Sequence, residues 1–263
     1  MSSTAQHTAT APSTAKRKTA YPSIAWALAV FNLPLSHARL PLWREAVLTC
    51  IDSTAELETW SNESRDRDGK TKHLAAFPLI HFRVHRGHAA IYALQAGVPL
   101  LLKFVQLYTQ GRQPLPFAWN RRPMGLQTLE LISEKGFTLK SFAPKLRTMP
   151  VVYRLHSWLP LNKENYGWWK ANRNLPDAKK TQKLGEILVN HICTFITATG
   201  GYIPKARIKL CILDKDRLKK VFFKDTGQVA FDVRYTVNLE LPPFMGLGNH
   251  PAFGFGWQRP EEG

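Results

Sequence analysis

A glycine-rich stretch, GLGNHPAFGFGW at residues 246–257, follows a predicted strand, VRYTVNLELP at 233–242, in which apolar and more polar side chains alternate. Its four glycines permit positive φ angles and let backbone N–H groups approach an anion that a Cβ would keep away: Gly246, Gly248, Gly254 and Gly256. The stretch is therefore a candidate phosphate cradle. A wide turn that closes a hairpin explains the glycines equally well.

The net charge favours a polyanionic partner. The chain of 263 residues carries 36 Lys and Arg against 19 Asp and Glu, which gives +17. Nucleic acid and an anionic membrane surface are the two candidate partners. The basic residues are spread along the sequence, as on a basic face of a folded protein, although scattered charge is also typical of an ordinary solvated surface.

The cysteines and the apolar segments bear on the compartment. Three cysteines lie in apolar sequence without metal-ligand spacing and predict reduced thiols in a cytoplasmic protein: Cys50, Cys193 and Cys211. The basic residues 16–18 precede the apolar run 24–31 as in a signal peptide, but this short run serves equally well as a first strand. No apolar segment is long enough to span a bilayer.

The N-terminal part of the chain predicts a β-α-β-β-α-β unit, the ferredoxin-like arrangement, over residues 21–145. Residues 1–20, rich in Ser, Thr and Ala, predict a disordered tail. Strands are expected at 23–33, 77–84, 88–94 and 137–144, and helices at 42–60 and 98–108. Two further segments are expected to be loops, the polar run 61–72 and the proline-containing run 111–125.

The C-terminal part, residues 150–260, predicts a second ferredoxin-like domain. A strand at 151–161 precedes a helix with one apolar stripe, which ends at Gly200–Gly201. Strands at 206–213, 219–224 and 228–242 then lead into the glycine loop. No second helix is evident, so the repeat is imperfect. The predicted fold is α+β, with two tandem RRM-like domains, antiparallel sheets and a C-terminal glycine-rich loop.

Several phrases in order resemble one protein family, the CRISPR-associated precursor-RNA-processing endoribonucleases of the RAMP superfamily. In the C-terminal part these are HSWLPLNKENY (156–166), KLGEILVNHICTFITATGGYI (183–203) and TVNLELPPFMGLGNHPAFGFGW (236–257). In the N-terminal part, LPLWREAV (40–47) and FPLIHFRVHRGHAAIYALQAGV (77–98) resemble the same family. The similarity covers most of residues 23–258, and the specificity lies in the ordered combination.

The resemblance implies binding of CRISPR repeat RNA and cleavage without a metal or cofactor. The 2′-hydroxyl beside the scissile phosphate would attack it and leave a cyclic phosphate and a 5′-hydroxyl. Such chemistry needs a group that accepts the 2′-OH proton and a group that protonates the leaving oxygen. It also needs positive charge or N–H donors at the phosphorane.

Three residues around the first strand-to-helix turn are the candidate catalytic groups. His37 lies in a polar turn where the resembling family often places a catalytic histidine, and the alternative is a surface turn residue. Arg44 either stabilises phosphate charge or is a solvated helix residue. Ser36 is the third candidate.

The other histidines predict different roles. His81 and His85 lie about 13 Å apart on one strand, too far for a shared metal, so with His88 they are expected to decorate a basic hairpin or a sheet face. The remaining three are expected in a helix core, in the cleft and in the glycine loop: His191, His156 and His250.

Ser61-Asn62-Glu63 stands where related sequences often read His-Asn-His. If those histidines carry the chemistry, this protein binds repeat RNA and cleaves it slowly or not at all. Lys and Arg neutralise phosphates and aromatic rings stack bases. The predicted RNA contacts are Gly246, Gly248, Asn249, His250, Gly254, Gly256, Arg121, Arg122, Lys205 and Arg207. Three tryptophans are either stacking platforms or packing residues: Trp168, Trp169 and Trp257.

The sequence therefore predicts a cytoplasmic, metal-independent endoribonuclease that matures CRISPR RNA, with repeat RNA and other CRISPR-associated effector subunits as partners and no membrane. The first alternative is a catalytically silent subunit that retains guide RNA in an effector or transposition complex. A ribosomal or messenger-RNA-binding protein of the same fold and an anionic-membrane protein are the others.

Overall fold

The computed structural model describes residues 22–65, 71–73, 77–111, 113–119, 122–216, 219–223 and 226–261. The tail predicted to be disordered, residues 1–20, lies outside them. The N-terminal half contains, in chain order, β1 (Ile24–Pro34), α1 (Leu40–Leu48), α2 (Thr54–Ser61), β2 (Glu63–Arg65), β3 (Thr71–His73), β4 (Ile80–His85), β5 (His88–Leu94), α3 (Gly97–Val105), β6 (Pro114–Trp119), β7 (Arg122–Thr128) and β8 (Phe137–Phe142).

The N-terminal sheet has the strand order β4-β5-β1-β8, and its neighbouring strands are antiparallel. This is the order of a ferredoxin-like β-α-β-β-α-β unit, as predicted. Side chains on β1 alternate between two cores, since successive residues of a strand point to opposite faces. Ala29 and Phe31 pack with α1, α2 and α3, whereas Trp26 and Leu28 pack toward the C-terminal half.

Three predictions for the N-terminal half were wrong in detail. The helix expected at 42–60 is two helices, because the chain leaves α1 after Leu48 and Ser53 caps α2 by accepting from the Glu56 N–H. The loop expected at 61–72 contains β2 and β3, and the loop expected at 111–125 contains β6 and β7. Both are two-stranded hairpins, and a two-stranded hairpin has an unpaired edge on each strand, where proline is tolerated.

The C-terminal half contains β9 (Leu146–Trp158), α4 (Lys163–Ala171), α5 (Asp177–Ala198), β10 (Leu210–Lys215), β11 (Lys219–Phe223), β12 (Thr226–Leu239) and β13 (Trp257–Pro260). Its sheet has the order β10-β12-β9-β13, with β11 paired to β12. The sequence did not reveal β13. The sequence revealed one helix in this half, and the structure has two, α4 and α5; between β12 and β13, where a ferredoxin-like unit has its second helix, the described residues form a 3₁₀ turn at Pro251–Phe253.

The two halves share one apolar core. The apolar stripe of α5 packs with the inner face of its own sheet and with one face of the N-terminal sheet. The rings of Phe77 and Phe195 lie 5.5 Å apart, and Gln95 Nε2 donates to Thr199 O at 3.2 Å. The glycine loop is therefore held by two halves that are fixed against each other. None of the described helices is long and apolar enough to cross a bilayer.

Candidate functional site

The turn between β1 and α1 lies beside the turn between β4 and β5. Ser36 and His37 are exposed at the start of a 3₁₀ turn that leads into α1. The Leu35 N–H donates to Gly87 O at 2.8 Å, and Pro34 pairs with His88. The second turn is a two-residue hairpin connection with both central residues at positive φ, the preferred geometry for right-twisted strands. The structure thus brings the turn that carries His37 next to the segment His85–His88.

Two histidines of these turns, His37 and His85, have lowered pKa values. His37 is exposed but partly covered by protein, and this partial desolvation and, secondly, the charge of Arg83 lower its pKa. Burial lowers the pKa of His85 to about 4, with further contributions from Arg83, Arg86 and His88. His88 Nδ1 lies 3.1 Å from Arg86 O, which assigns its proton to Nδ1 and leaves the lone pair on Nε2. Neutral imidazoles of this kind can accept protons.

A buried arginine lies behind these histidines. Arg83 on β4 is 2% exposed, and its Nη1 donates to Phe244 O at 2.5 Å. Its guanidinium carbon lies 4.9 Å from the centre of the Trp257 ring. Burial lowers the pKa of Arg83 to about 10, so it remains cationic at neutral pH. Among the described residues it has no acidic partner, and its Nε and Nη2 have no hydrogen-bond acceptor.

Arg44 is a packed residue, and the interpretation as a solvated helix residue was wrong. Its side chain is 11% exposed, its Nη2 donates to Ser61 O at 2.9 Å, and it lies 3.8 Å from Glu63 Oε1. Its guanidinium carbon lies 4.3 Å from the centre of the Phe253 ring in the glycine loop. Arg44 therefore joins the segment Ser61-Asn62-Glu63 to the loop.

The glycines of the loop are required by packing within the chain. A Cβ on Gly256, which has φ +65°, would lie 1.8 Å from Leu247 O. A Cβ on Gly248, which has φ +95°, would lie 2.7 Å from Trp158 Cδ1. Such distances are far shorter than any contact a real Cβ makes, so no other residue fits either position without rearrangement.

The other two loop glycines are just as closely packed. A Cβ on Gly246 would lie 2.6 Å from Pro251 Cβ, and one on Gly254 would lie 2.7 Å from Leu40 Cδ2. The glycine pattern is therefore explained without an anion.

Several loop N–H groups are also used within the chain. Those of Leu247, Asn249 and Gly256 donate to carbonyls of Gly256, Leu159 and Ser157. These N–H groups are not available to a phosphate. The side chains of Asn249 and His250, in contrast, are partly exposed to solvent.

Asn249 and His250 open onto a groove between the loop, the start of α4 and the β11–β12 hairpin. The groove has a volume of about 710 Å³. We call it the basic groove and define it by Lys163, Tyr166, Lys219, Lys220, Asn249 and His250. His250 Nε2 lies 3.2 Å from Gln228 Nε2, which fixes the ring beside the hairpin.

Two predicted RNA contacts lie far from this groove. Lys205 and Arg207 are exposed in a 3₁₀ turn, and Arg207 O accepts from Asn238 Nδ2 near the end of β12. The glycine loop packs near the other end of that strand, where Phe231 pairs with Trp158. Phe231 and Asn238 are seven residues apart on β12, which corresponds to about 24 Å along the strand. Arg122 begins β7, and Arg121 lies outside the described residues.

The three tryptophans pack against protein groups. Trp257 stacks on His156 with ring centres 4.2 Å apart, and Arg83 lies against the same indole ring. Trp169 contacts Phe231 at 5.6 Å, and Lys183 Nζ lies 5.6 Å from the Trp168 ring. The packing interpretation fits these contacts better than open stacking platforms.

The remaining histidines have ordinary structural surroundings. His191 is partly buried, its Nδ1 accepts from Trp158 Nε1 at 3.2 Å and desolvation lowers its pKa to about 4, which fits the core interpretation better than a role as acid or base. His81 is buried at 2% exposure, with Nε2 3.0 Å from Pro78 O, so it does not decorate a surface. In the part of the chain that the structure describes, no three His, Cys, Asp or Glu side chains converge as a metal site requires.

Sequence reasoning missed that the turn of Arg86 and His88 adjoins the turn that carries His37. The signal was present in the predicted topology. In a sheet with the first strand beside the third, antiparallel pairing places the start of the third strand next to the end of the first. His88 begins that third strand.

Comparisons with known proteins agree with this architecture. Residues 145–260 match the family model described as the Cas6b C-terminal domain. A crystal structure of Cas6b matches with a TM-score of 0.70 and 16% identity, over 91% of this chain and 100% of that chain. No curated protein sequence matches significantly.

Two further solved structures share the fold. A Cas6b described as a CRISPR RNA processing endoribonuclease matches with a TM-score of 0.63 and 14% identity, over 91% of this chain and 100% of that one. Csf5, described as a type IV Cas6 crRNA endonuclease, matches with a TM-score of 0.52 and 13% identity, over 91% and 99%. At these identities the likeness establishes the fold, and the predicted tandem ferredoxin-like architecture is confirmed.

Proposed function

Since residues 145–260 match the Cas6b C-terminal domain and the fold is that of a Cas6b structure, we propose that the chain is a Cas6-type protein of the RAMP kind, which binds CRISPR repeat RNA and cleaves the precursor without a metal ion. The observation that carries this proposal is the meeting of the His37 turn with the His88 turn at one end of the N-terminal sheet. The neutral imidazole of His37 and a second histidine beside the exposed Arg86 suit phosphodiester cleavage by an internal hydroxyl.

The proposed reaction balances around one phosphate. His37 removes the proton from the 2′-hydroxyl, whose oxygen forms a bond to phosphorus while the bond to the 5′-oxygen breaks. His88 enters this step as the imidazolium, with a proton on each ring nitrogen, and gives its Nε2 proton to the departing 5′-oxygen. Ser36 and the exposed Arg86 donate to the non-bridging oxygens. The products are a cyclic phosphate and a 5′-hydroxyl.

Arg44 acts at a distance in this proposal. Its guanidinium is engaged with Ser61 and Glu63, so it positions the glycine loop through Phe253. Asn249 and His250 contact the RNA from the loop. The charge of Arg83 behind the turn favours the neutral form of His37 that a base requires.

The test is cleavage of a repeat RNA by pure protein in EDTA. We expect a cyclic-phosphate product, and no product from a substrate with 2′-deoxyribose at the cut site. His37→Ala and His88→Ala are each expected to slow cleavage by roughly 10²–10⁴-fold while leaving RNA binding intact. His156→Gln, on the outer face of the other sheet, is the histidine control and should cleave normally.

One observation favours the silent RNA-binding alternative. Glu63 faces Arg44 in an ion pair, and Asn62 takes a left-handed conformation after α2, so this segment holds the loop and offers no imidazole. If repeat RNA stays intact in EDTA yet binds tightly at raised salt, while unrelated hairpins do not, the silent alternative replaces the nuclease. Equal binding to unrelated hairpins would reject both.

A further inference from the structure

The basic groove has the charge of a nucleic-acid site. Lys163, Lys219 and Lys220 are exposed along it, and its described lining contains no acidic side chain. Lys219 pairs with Asp232 outside the lining, and Lys163 has no ionic partner among the described residues. Lysines arranged along a groove neutralise successive phosphates, and counterion release then supplies much of the affinity.

The groove also carries an aromatic ring that is open to solvent. Tyr166 on α4 is 51% exposed, in contrast to the two tryptophans of the same helix, which lysines and Phe231 cover. Single-stranded nucleic acid is bound by such a pairing of aromatic rings with a cationic groove. In an A-form duplex the base faces are stacked on each other, so an exposed ring selects an unpaired strand.

The glycine loop connects this groove to the His37 turn. His250 lines the groove, and Gly254, four residues later, packs on Leu40 at the start of α1. Five residues of chain span at most about 14 Å. A strand that leaves the His37 turn along the loop therefore reaches the groove within a few nucleotides.

We propose that the basic groove holds an unpaired segment of the RNA adjacent to the cleaved bond, with a base stacked on Tyr166 and phosphates on Lys163, Lys219 and Lys220. The identity of the RNA rests on the proposed function. The preference for an unpaired strand rests on the groove itself. Asn249 on the loop supplies an amide that can bond to a base edge.

The first test measures binding of a short oligouridylate to the full chain by fluorescence anisotropy. Stacking predicts that Tyr166→Ala weakens binding roughly tenfold. Tyr202→Ala is the matched control, because Tyr202 is 63% exposed but lies outside the groove, and it should bind as the wild type does. Equal binding by the wild type and Tyr166→Ala, or no binding by the wild type, overturns the proposal.

The second test separates phosphate contact from general charge. Lys163→Ala should reduce the slope of log K against log salt by about 0.7, the value for one phosphate of a single strand. Lys135→Ala removes an exposed lysine from a 3₁₀ turn of the N-terminal half and is the control. If both variants change the slope equally, or if polyglutamate competes as well as oligouridylate, the groove recognises charge alone and the proposal fails.

The third test distinguishes this proposal from the proposed function. A repeat hairpin with an unpaired flank should bind more tightly than the hairpin alone, and Tyr166→Ala should remove that difference. A protein that leaves repeat RNA intact but shows Tyr166-dependent binding contradicts the nuclease and supports the groove. A protein that cleaves normally, with no effect of the flank or of Tyr166, contradicts the groove alone.

Discussion

The two halves follow the same β-α-β-β order and differ in what joins their third and fourth strands. In the N-terminal half this connection is α3, which buries Val98, Leu101 and Phe104 against its own sheet. In the C-terminal half it is the glycine loop, which packs on Trp158 of its own half and on Leu40 of the other. Where the helix is absent, the connection serves as a bridge between halves.

The missing helix also leaves the two sheets in different surroundings. The N-terminal sheet has apolar side chains on both faces, one toward its helices and one toward α5. The outer face of the C-terminal sheet carries exposed charges, including Arg154, Arg234 and Arg259. The first half is therefore built mainly by apolar packing, and the second combines packing with close backbone contacts and ion pairs.

The largest effect is expected from a glycine in the loop. Gly256→Ala places a Cβ against Leu247 O and should lower the free energy of unfolding by more than about 3 kcal/mol, because backbone must move. Gly87→Ala, at the positive-φ turn of the N-terminal half with nothing within 4 Å, should cost only about 1–2 kcal/mol. Urea denaturation measures both. Equal losses would show that the loop is as adaptable as an ordinary turn.

The partly buried His191 of α5 should give the next largest effect. The folded-state pKa of His191, about 4, is below the unfolded value, so the unfolded chain binds the proton first and stability falls as pH drops toward 4. Protonation of His191 in the unfolded chain should lower the free energy of unfolding by an amount on the order of 2–3 kcal/mol. His191→Gln keeps an acceptor for Trp158 Nε1 but does not titrate.

The measurement is urea unfolding from neutral to acidic pH. The variant should lose less stability on acidification than the wild type. Some dependence should remain, because burial also lowers the pKa of His81, to about 3, in the other half. An identical pH dependence in both proteins would contradict the core assignment.

A smaller change is expected at the seam between the halves. Arg83→Met removes the charge that, after burial, lowers the pKa of His37, so that pKa should rise toward its ordinary value. The acidic limb of the cleavage profile should move to higher pH with it. NMR titration of the ring protons measures the pKa, and His191, on which Arg83 has no influence, is the internal control. An unchanged His37 pKa would mean that desolvation alone sets it.

The smallest effect is expected on the open face of the C-terminal sheet. Glu261 accepts from Arg154 Nε at 3.1 Å and from Arg234 Nε at 2.6 Å, and all three groups reach solvent. Glu261→Gln should therefore cost less than about 1 kcal/mol in thermal or urea unfolding, and salt should reduce the difference. Glu240→Gln, which breaks the similarly exposed pair with Arg147, is the control. A larger loss of stability for Glu261→Gln than for Glu240→Gln would show that Arg154 and Arg234 repel each other strongly once the carboxylate between them is gone.

The sequence predicted what depends on local pattern. The HRG turn predicted the β4–β5 hairpin, and the apolar stripe predicted α5. Sequence-based prediction failed where an element depends on a partner distant in the chain, or where a strand is too short to show a pattern. The prolines in β6 and β7 indicated a loop, because a strand tolerates proline only at an edge position and the sequence does not show which strands are edges. The strand β13 is too short to show an alternation of apolar and polar residues. The glycines suggested an anion because sequence alone cannot reveal that Trp158 and Leu40 occupy the space.

The pairing of β13 with β9 has a consequence for synthesis. Trp257 pairs with His156 across about one hundred residues of chain. At about 5–20 residues per second, the ribosome needs roughly 5–20 s to deliver the partner of this edge. Until then the edge of β9 in the nascent chain is unpaired, and strands of other chains can pair with such an edge and cause aggregation. We therefore expect the yield of soluble protein to depend on two quantities. One is the rate at which this last stretch is translated, and the other is the number of ribosomes that translate the same messenger RNA side by side.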